Sequence, residues 1–519
     1  MVRNKMMVTI SHPYMVFPVR CEADAKKLLF LTDGALVYES DIALDAENPD
    51  FYAYLDVQRF EGMSLELVAE PETELSFRWA DTVDRPDLYH EPYRPLYHFT
   101  ERNGWLNDPN GLVKIGDTYH MFYQQNPAAP RWGNMHWGHA TSPDMIHWTQ
   151  HESALFPDEM GTMFSGSGIV DTEGRAGFGR GAALFFYTAA GGTSLRSKDA
   201  PFTQCLAYSV DGGKTLVKYE GNPVIPHIIG GNRDPKVIYC EELGKYVCAL
   251  YLDGNTYALL TSDDFLHWTE LQRIEIPGDG ECPDFYPLSV ENEPGVRKWV
   301  LSGASARYLV GDMIDGRFVP SQEVRAMHTG SCGYAAQTYS LEGDSRRINV
   351  VWEPVTFPGG APFCSQMGIP VTHALRRGAD GDYYLHASPI QEAKKLRGTA
   401  YVPGKACDGY RTQLRDAANE LSMTVPAAGA EICLRMLGIE IVIDRAAGVV
   451  RLGEKTMPLG AVNGRYKIRM YTDTCTVTMF SETHYATFAA IADETALQLT
   501  LSGDEDVELS VWPLSHIHK

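Results

Sequence analysis

TSPDMIHW (residues 141–148) and TSDDFLHW (261–268) repeat the same Thr, Ser, Asp, His and Trp in the same register, and YSVDGGKTL (208–216) lies between them as a looser copy. Each has a Ser-x-Asp turn followed by an apolar or aromatic anchor. A recurring hairpin of this kind marks one supersecondary unit used several times. A second periodicity runs through the same region. Five apolar stretches, TYHMFYQQ around Phe122, AALFFYTA around Phe185, YVCALYL around Ala249, KWVLSGA around Leu301 and INVVWEP around Val351, are separated by 63, 64, 52 and 50 residues. Four strands of about six residues with their turns fill a unit of that length. Radial repetition of four-stranded sheets is a β-propeller, and five repeats predict five blades.

The flanks lack these motifs but keep a strand-like alternation. LLFLTD (28–33), YAYLDV (52–57) and SLELVAE (64–70) precede the repeats, and EICLRML (431–437), EIVIDR (440–445) and ALQLTLS (496–502) follow them. Long helical periodicity is scarce, so the fold class is all-β. The expected domains are a small N-terminal β domain of unknown role (1–92), a five-bladed propeller (93–388) and a C-terminal β-sandwich (389–519). SPIQEAKKLRG (388–398) reads as a short helical linker.

Bulk properties exclude several function classes. The 519 residues are 44% hydrophobic and 22% charged, with 11% aromatics, as in an ordinary soluble protein. A net charge of -22 repels phosphate backbones and anionic lipids, so neither nucleic acid nor a membrane is an expected partner, whereas a neutral sugar is compatible. The ten cysteines are scattered and form no C-x-x-C pair, which argues against a zinc site or a disulfide scaffold and fits a reducing compartment. MVRNKMMVTISHPYMVFPV (1–19) lacks the apolar core of a signal peptide. The expectation is a cytoplasmic protein.

Three segments place a carboxylate in unusual company. In GWLNDPNG (104–111), Asp108 precedes a proline, which biases it toward extended backbone, with the Trp105 ring and the Asn107 amide beside it. In NRDPK (232–236), Asp234 lies between Arg233 and Lys236, and a cationic neighbour is expected to keep it ionised. In ECPDFY (281–286), Glu281 is followed by Cys282 and Pro283 in apolar surroundings, which are expected to raise its pKa toward that of a general acid; Asp284 is a rival for the role. Alone, each could be a turn, a surface ion pair or a buried acid. All three fall at the starts of successive propeller units, so they are expected to gather at one mouth of the axial funnel, and paired carboxylates in a concave site are what glycoside hydrolysis requires.

WLNDPNG (105–111), WGHATS (137–142), FSGS (164–167), RDP (233–235) and EC (281–282), in that order, resemble glycoside hydrolase family 32, the family of invertases, levanases, inulinases and related fructosyltransferases. The resemblance runs from about Pro95 to Pro389, and RMYTDTCTVTMFSETHYATF (469–488) is similar to the family's appended sandwich. The resemblance implies Asp108 as nucleophile, Glu281 as acid/base and Asp234 as transition-state stabiliser. It places Asn107, Gln124, Trp132, Phe164, Ser165 and Arg233 around a fructosyl unit, with Trp105 and Cys282 in the same pocket and Tyr339 and Trp352 as candidates for its wall. It implies a retaining β-fructofuranosidase needing neither metal nor cofactor, acting on sucrose, fructo-oligosaccharides or fructans. A fructosyltransferase on the same scaffold and a non-catalytic fructan-binding protein are the alternatives, and a homodimer is a further expectation. Gln125 stands where the family frequently has an aromatic or His, which puts a substrate contact in question.

Overall fold

The computed structural model describes residues 5–327, 330–341, 344–358, 360–503 and 506–518; the first four residues of the expected N-terminal domain lie outside them. Five antiparallel sheets follow one another between Gly104 and Pro389, each built on four strands in chain order. Their first strands are Gly104–Ile115, Thr162–Asp171, Arg233–Cys240, Asp284–Ser289 and Tyr334–Thr338. Each first strand touches the next, and the fifth touches the first. The ring therefore closes, and the sheets are five blades around an axis. A late segment, Phe363–Cys364, pairs in parallel with Gly104–Trp105 and clasps the last blade to the first.

The five stretches picked out by spacing are the second strands of the blades, Thr118–Asn126, Ala182–Ala190, Lys245–Asp253, Arg297–Ser302 and Arg347–Glu353. They read as continuous apolar runs because both faces pack against neighbouring blades; every residue of Ala182–Ala190 is buried. The Ser-x-Asp repeats connect third to fourth strands. Asp144 accepts the backbone N–H groups of Ile146 and His147, Asp264 those of Leu266 and His267, and Asp211 those of Lys214 and Thr215. This is an Asx turn, and it recurs because the same hairpin must be closed in each blade.

The chain from Val402 onward forms two six-stranded antiparallel sheets around a core that includes Leu421, Ile441, Met470 and Leu509. The linker helix is a single 3-10 segment, Gln391–Leu396, whose Ala393 and Leu396 are buried. Buried polar pairs join the sandwich to the propeller: His98 Nδ1 to Asp473 at 2.7 Å, and Thr487 Oγ1 donating to Glu353 at 2.8 Å. At the other end, a four-stranded and a three-stranded sheet enclose Phe17, Phe30 and Leu67, and Ala128 of the propeller is buried in this same N-terminal core.

Candidate active site

The first strands carry the polar residues, and their ladders are broken at one end. The pairing of Gly104–Ile115 with its neighbour shifts between Leu106 and Pro109 and again between Asn110 and Val113. Comparable shifts fall at Phe164/Gly166, Arg233/Lys236 and Tyr334/Gln337 in the second, third and fifth blades. Bulges re-aim side chains, and these four lie at the starts of strands that meet around one mouth. At Gly104, φ is +94°, and a Cβ there would collide with the Asn126 carbonyl, so only glycine lets the strand begin this close to its neighbour. Asp234, Glu281 and Cys282 hold left-handed φ values of 66°, 63° and 36°, each costing about 1–3 kcal/mol.

Asp108 sits in the first bulge. Ser165 Oγ donates to its Oδ2 at 2.5 Å, and Asn107 Nδ2 to its Oδ1 at 2.9 Å. The Cys282 thiol lies 3.4 Å from Asp108 Oδ2 and 3.6 Å from Asp234 Oδ2. One sulfur therefore bridges two carboxylates that stand 126 residues apart in sequence. The backbone N–H of Asp234 donates to Thr188 Oγ1 at 2.8 Å, and its Oδ2 accepts the Cys282 N–H at 2.9 Å. Glu281 accepts Arg233 Nη2 at 2.6 Å and the Tyr334 hydroxyl at 2.5 Å.

Two of the three acids, Glu281 and Asp234, thus lie beside one guanidinium. Burial, reinforced by Asp108 and Glu281 and only partly offset by Arg233, pushes Asp234 up to about 7. Burial also raises Asp108 against the hydrogen bonds from Ser165, Asn107 and Cys282. Glu281 is also partly buried, but the hydrogen bonds from Tyr334 and Arg233 and the charge of Arg233 outweigh that and hold it below the usual carboxyl value. These directions reverse the sequence expectation for Asp234 and Glu281. Arg233 reaches across to the next blade with its short contact to Glu281, leaving Asp234 at 3.8 Å. The apolar Phe285 beside Glu281 in sequence turns instead into the sheet core against Trp299. Burial and the neighbouring acids push the Cys282 thiol well up, so it stays protonated and acts as a donor.

Most of the expected wall assembles here. Trp105 Nε1 donates to Asn107 at 2.7 Å, and its ring meets Trp352 edge-on at 5.7 Å. Phe164 stands edge-on to Trp132 at 6.0 Å and to Phe202 at 5.6 Å. Gln124 lies opposite the Asp108 bulge. Gln124 Nε2 and Trp352 Nε1 are buried donors without a hydrogen-bond partner among the described residues. Gln125 turns away, bonded to Glu101 and Ser153, so its departure from the family pattern leaves the site untouched. Asp284 is bonded to Thr338 and paired with Lys236 in the core, which removes it as a rival to Glu281.

Tyr339 is a correction. It is fully buried, edge-on to Tyr119 at 5.9 Å, and lines a cavity with Lys236 and Arg347. Tyr334 lies opposite Trp352 and Tyr339 bonds Ile348, four residues along the partner strand, so at about 3.3 Å per residue Tyr339 lies roughly 13 Å further along the blade. Tyr334, which pairs with Trp352 and bonds Glu281, stands at the mouth instead. Neither Tyr334 nor Thr188 stands out in sequence, and only the strand register reveals them.

Fold and site together define the class: a β-propeller with a three-carboxylate cleft of the glycoside-hydrolase type. The model of the glycosyl hydrolases family 32 N-terminal domain matches residues 98–377, more than half of the chain, and the chain belongs to that family. It is similar to the levanase of Bacillus subtilis, 31% identical over 464 residues, which cover 77% of this chain and 66% of the levanase. It is also similar to the invertase of Schizosaccharomyces pombe, 35% identical over 292 residues, which cover 51% of this chain and 49% of the invertase. The matched regions thus span about two thirds or less of these relatives. Among solved structures, an exo-inulinase from Aspergillus awamori superposes with a TM-score of 0.74 at 23% identity, covering 83% of this chain and 99% of the inulinase; at that identity the likeness is one of fold.

Proposed function

We propose that this protein is a retaining β-fructofuranosidase that removes terminal β-fructofuranosyl units from sucrose, fructo-oligosaccharides or fructans. The observation that carries the reading is the meeting of Asp108 and Asp234, from different blades, at the thiol of Cys282, the residue that follows Glu281, with Asp108 and Glu281 each held by its own donors. In this reading Asp108 attacks the anomeric carbon while Glu281 gives its proton to the departing oxygen, leaving a fructosyl ester on Asp108. Water then attacks the same carbon, Glu281 takes its proton, and Asp108 is released. Such double displacement uses carboxyl groups roughly 5–5.5 Å apart. Asp234, with no short contact to a cation, accepts from sugar hydroxyls as positive charge builds on the ring. The unpartnered donors of Gln124 and Trp352 supply hydrogen bonds that a polar ligand can accept. The kinship to a levanase and an invertase supports a β-fructosyl substrate.

The test is chromatography of products from sucrose, a fructo-oligosaccharide, inulin and levan, using wild type and Asp108→Asn. Release of fructose by wild type and its collapse in the variant are expected. Kestose-type products in place of fructose at high sucrose would show a transferase instead, and binding of fructans without any release would show a binding protein.

A further inference from the structure

The loop between the second and third strands of the first blade, residues 127–135, carries Trp132, which is 57% exposed. Its ring is edge-on to Phe164, the neighbour of Ser165 that holds Asp108. The corresponding loop of the second blade, residues 191–202, carries Phe202 on the other side of Phe164. These two loops set an aromatic rim around Phe164, whose neighbour Ser165 bonds Asp108. In the first loop, Gly133 and Asn134 both take left-handed φ values, 143° and 46°.

The N-terminal β domain grips both loops. The Asn134 side-chain amide bonds both backbone groups of Asp41: the Asp41 N–H donates to Oδ1 at 2.8 Å, and Nδ2 donates to the Asp41 carbonyl at 2.8 Å. Asn134 Nδ2 also reaches Asn126 Oδ1 at 3.1 Å, and Asn126 in turn caps the Arg131 carbonyl at 2.8 Å, next to Trp132. Tyr38 OH meets His136 Nε2 at 3.3 Å. Ala128, inside the first loop, is fully buried in the N-terminal core. On the second loop, Glu39 accepts the Arg196 N–H at 3.0 Å. The Arg59 guanidinium lies over the rings of Tyr38, Phe60 and Phe156 at 4.4, 4.5 and 3.9 Å, tying the domain to the segment between the two blades.

We propose that the N-terminal domain is a buttress for the aromatic rim of the substrate pocket, and that Asn134 is a positioning residue that acts through Trp132. This rests on the reading of Trp132 as part of a fructosyl pocket. Removing the Asn134 amide frees the loop without touching a group that meets the reacting atoms, so substrate affinity falls while the chemical step proceeds once substrate is seated.

The test is Asn134→Gly, which removes the amide and keeps the left-handed backbone relaxed, alone and in a Trp132→Ala background. For the three hydrogen bonds lost with the Asn134 amide, two to Asp41 and one to Asn126, KM for a fructo-oligosaccharide is expected to rise about tenfold, with kcat changed less than about twofold. The KM effect should vanish when Trp132 is already absent, because coupled positions are non-additive. An equal effect in both backgrounds, or a fall in kcat alone, overturns the proposal. Hydrogen exchange of residues 127–135 is measured on the same variants without substrate. Faster exchange in Asn134→Gly is expected even if no fructoside is cleaved, and unchanged exchange overturns the buttress independently of the enzymatic reading. Should Asn134→Gly fail to fold, Tyr38→Phe removes only the hydroxyl contact to His136, and the same pair of readouts applies with a smaller shift in the same direction.

Discussion

Tyr334→Phe isolates the electrostatics of the proposed acid/base. The hydroxyl lies 2.5 Å from Glu281 Oε2 and donates to the ionised form, so its loss raises the Glu281 pKa. A hydrogen bond to a charged group is worth about 1.5–3 kcal/mol. The Glu281 side chain is 37% exposed, so water replaces part of that interaction and the lower end applies. At about 1.36 kcal/mol per pKa unit, the shift is roughly one unit. The proposed reaction needs Asp108 ionised and Glu281 protonated together, whereas the surroundings push Asp108 up and hold Glu281 down. The two therefore titrate as macroscopic values of the cluster, and kcat/KM against pH reports them for the free enzyme. The limb governed by Glu281 is expected to move about one unit to higher pH, neither limb should move to lower pH, and ionisation should not reduce the peak. The assay is the initial rate of fructose release at substrate well below KM across the full bell. An unmoved bell, or a limb displaced to lower pH, would refute Glu281 as the titrating proton donor held by Tyr334.

Ser165→Ala should move the opposite limb upward by about one unit, because it strips a charge-assisted bond from Asp108; the same profile checks it, and movement of the Tyr334-sensitive limb instead would contradict the assignment. Cys282 should resist iodoacetamide near neutral pH while the exposed Cys407 is alkylated, since the thiolate is the reactive form and the acids around Cys282 suppress it; peptide mapping that finds Cys282 modified first would contradict this. His373, bonded to Tyr286 at 2.8 Å, is lowered by burial to about 4, below the unfolded value of about 6.5. The unfolded chain therefore takes that proton first, and stability from this group is lost as pH falls from about 6.5 toward 4. His373→Gln should flatten the fall in melting temperature between about pH 7 and pH 5 relative to wild type, and equal calorimetric slopes would reject it.

The parts of the fold legible in the sequence are those whose surroundings are uniform. Second strands are enclosed on both faces, so AALFFYTAA is apolar throughout and its recurrence can be counted. Asx hairpins depend on a local Ser-x-Asp geometry, so TSPDMIHW and TSDDFLHW declare themselves. First strands obey neither rule. They are interrupted by Pro109 and Pro235, shifted by bulges and polar at the mouth, so they read as loops. The sequence therefore places Asp108, Asp234 and Glu281 before the strands it can see, while the structure puts Asp108 and Asp234 within first strands and Glu281 just ahead of one.

The charge state of the site was illegible for a different reason. Neighbours in sequence alternate across a strand, and a left-handed residue turns the chain further. Being adjacent to Asp234 therefore does not make Arg233 its partner. Arg233 donates to Glu281, 48 residues away, and Tyr334, a further 53 residues on, supplies the second bond. Each contact crosses from one blade to the next, so it exists only once neighbouring blades have packed. Tyr339 fails as a wall residue on the same ground, because it shares its strand's composition with Tyr334 but sits at the wrong register. A motif can therefore name the acids, but which of them holds the proton depends on side chains that only the packing of neighbouring blades brings together. This is why the Tyr334→Phe profile tests the assembled mouth rather than the motif.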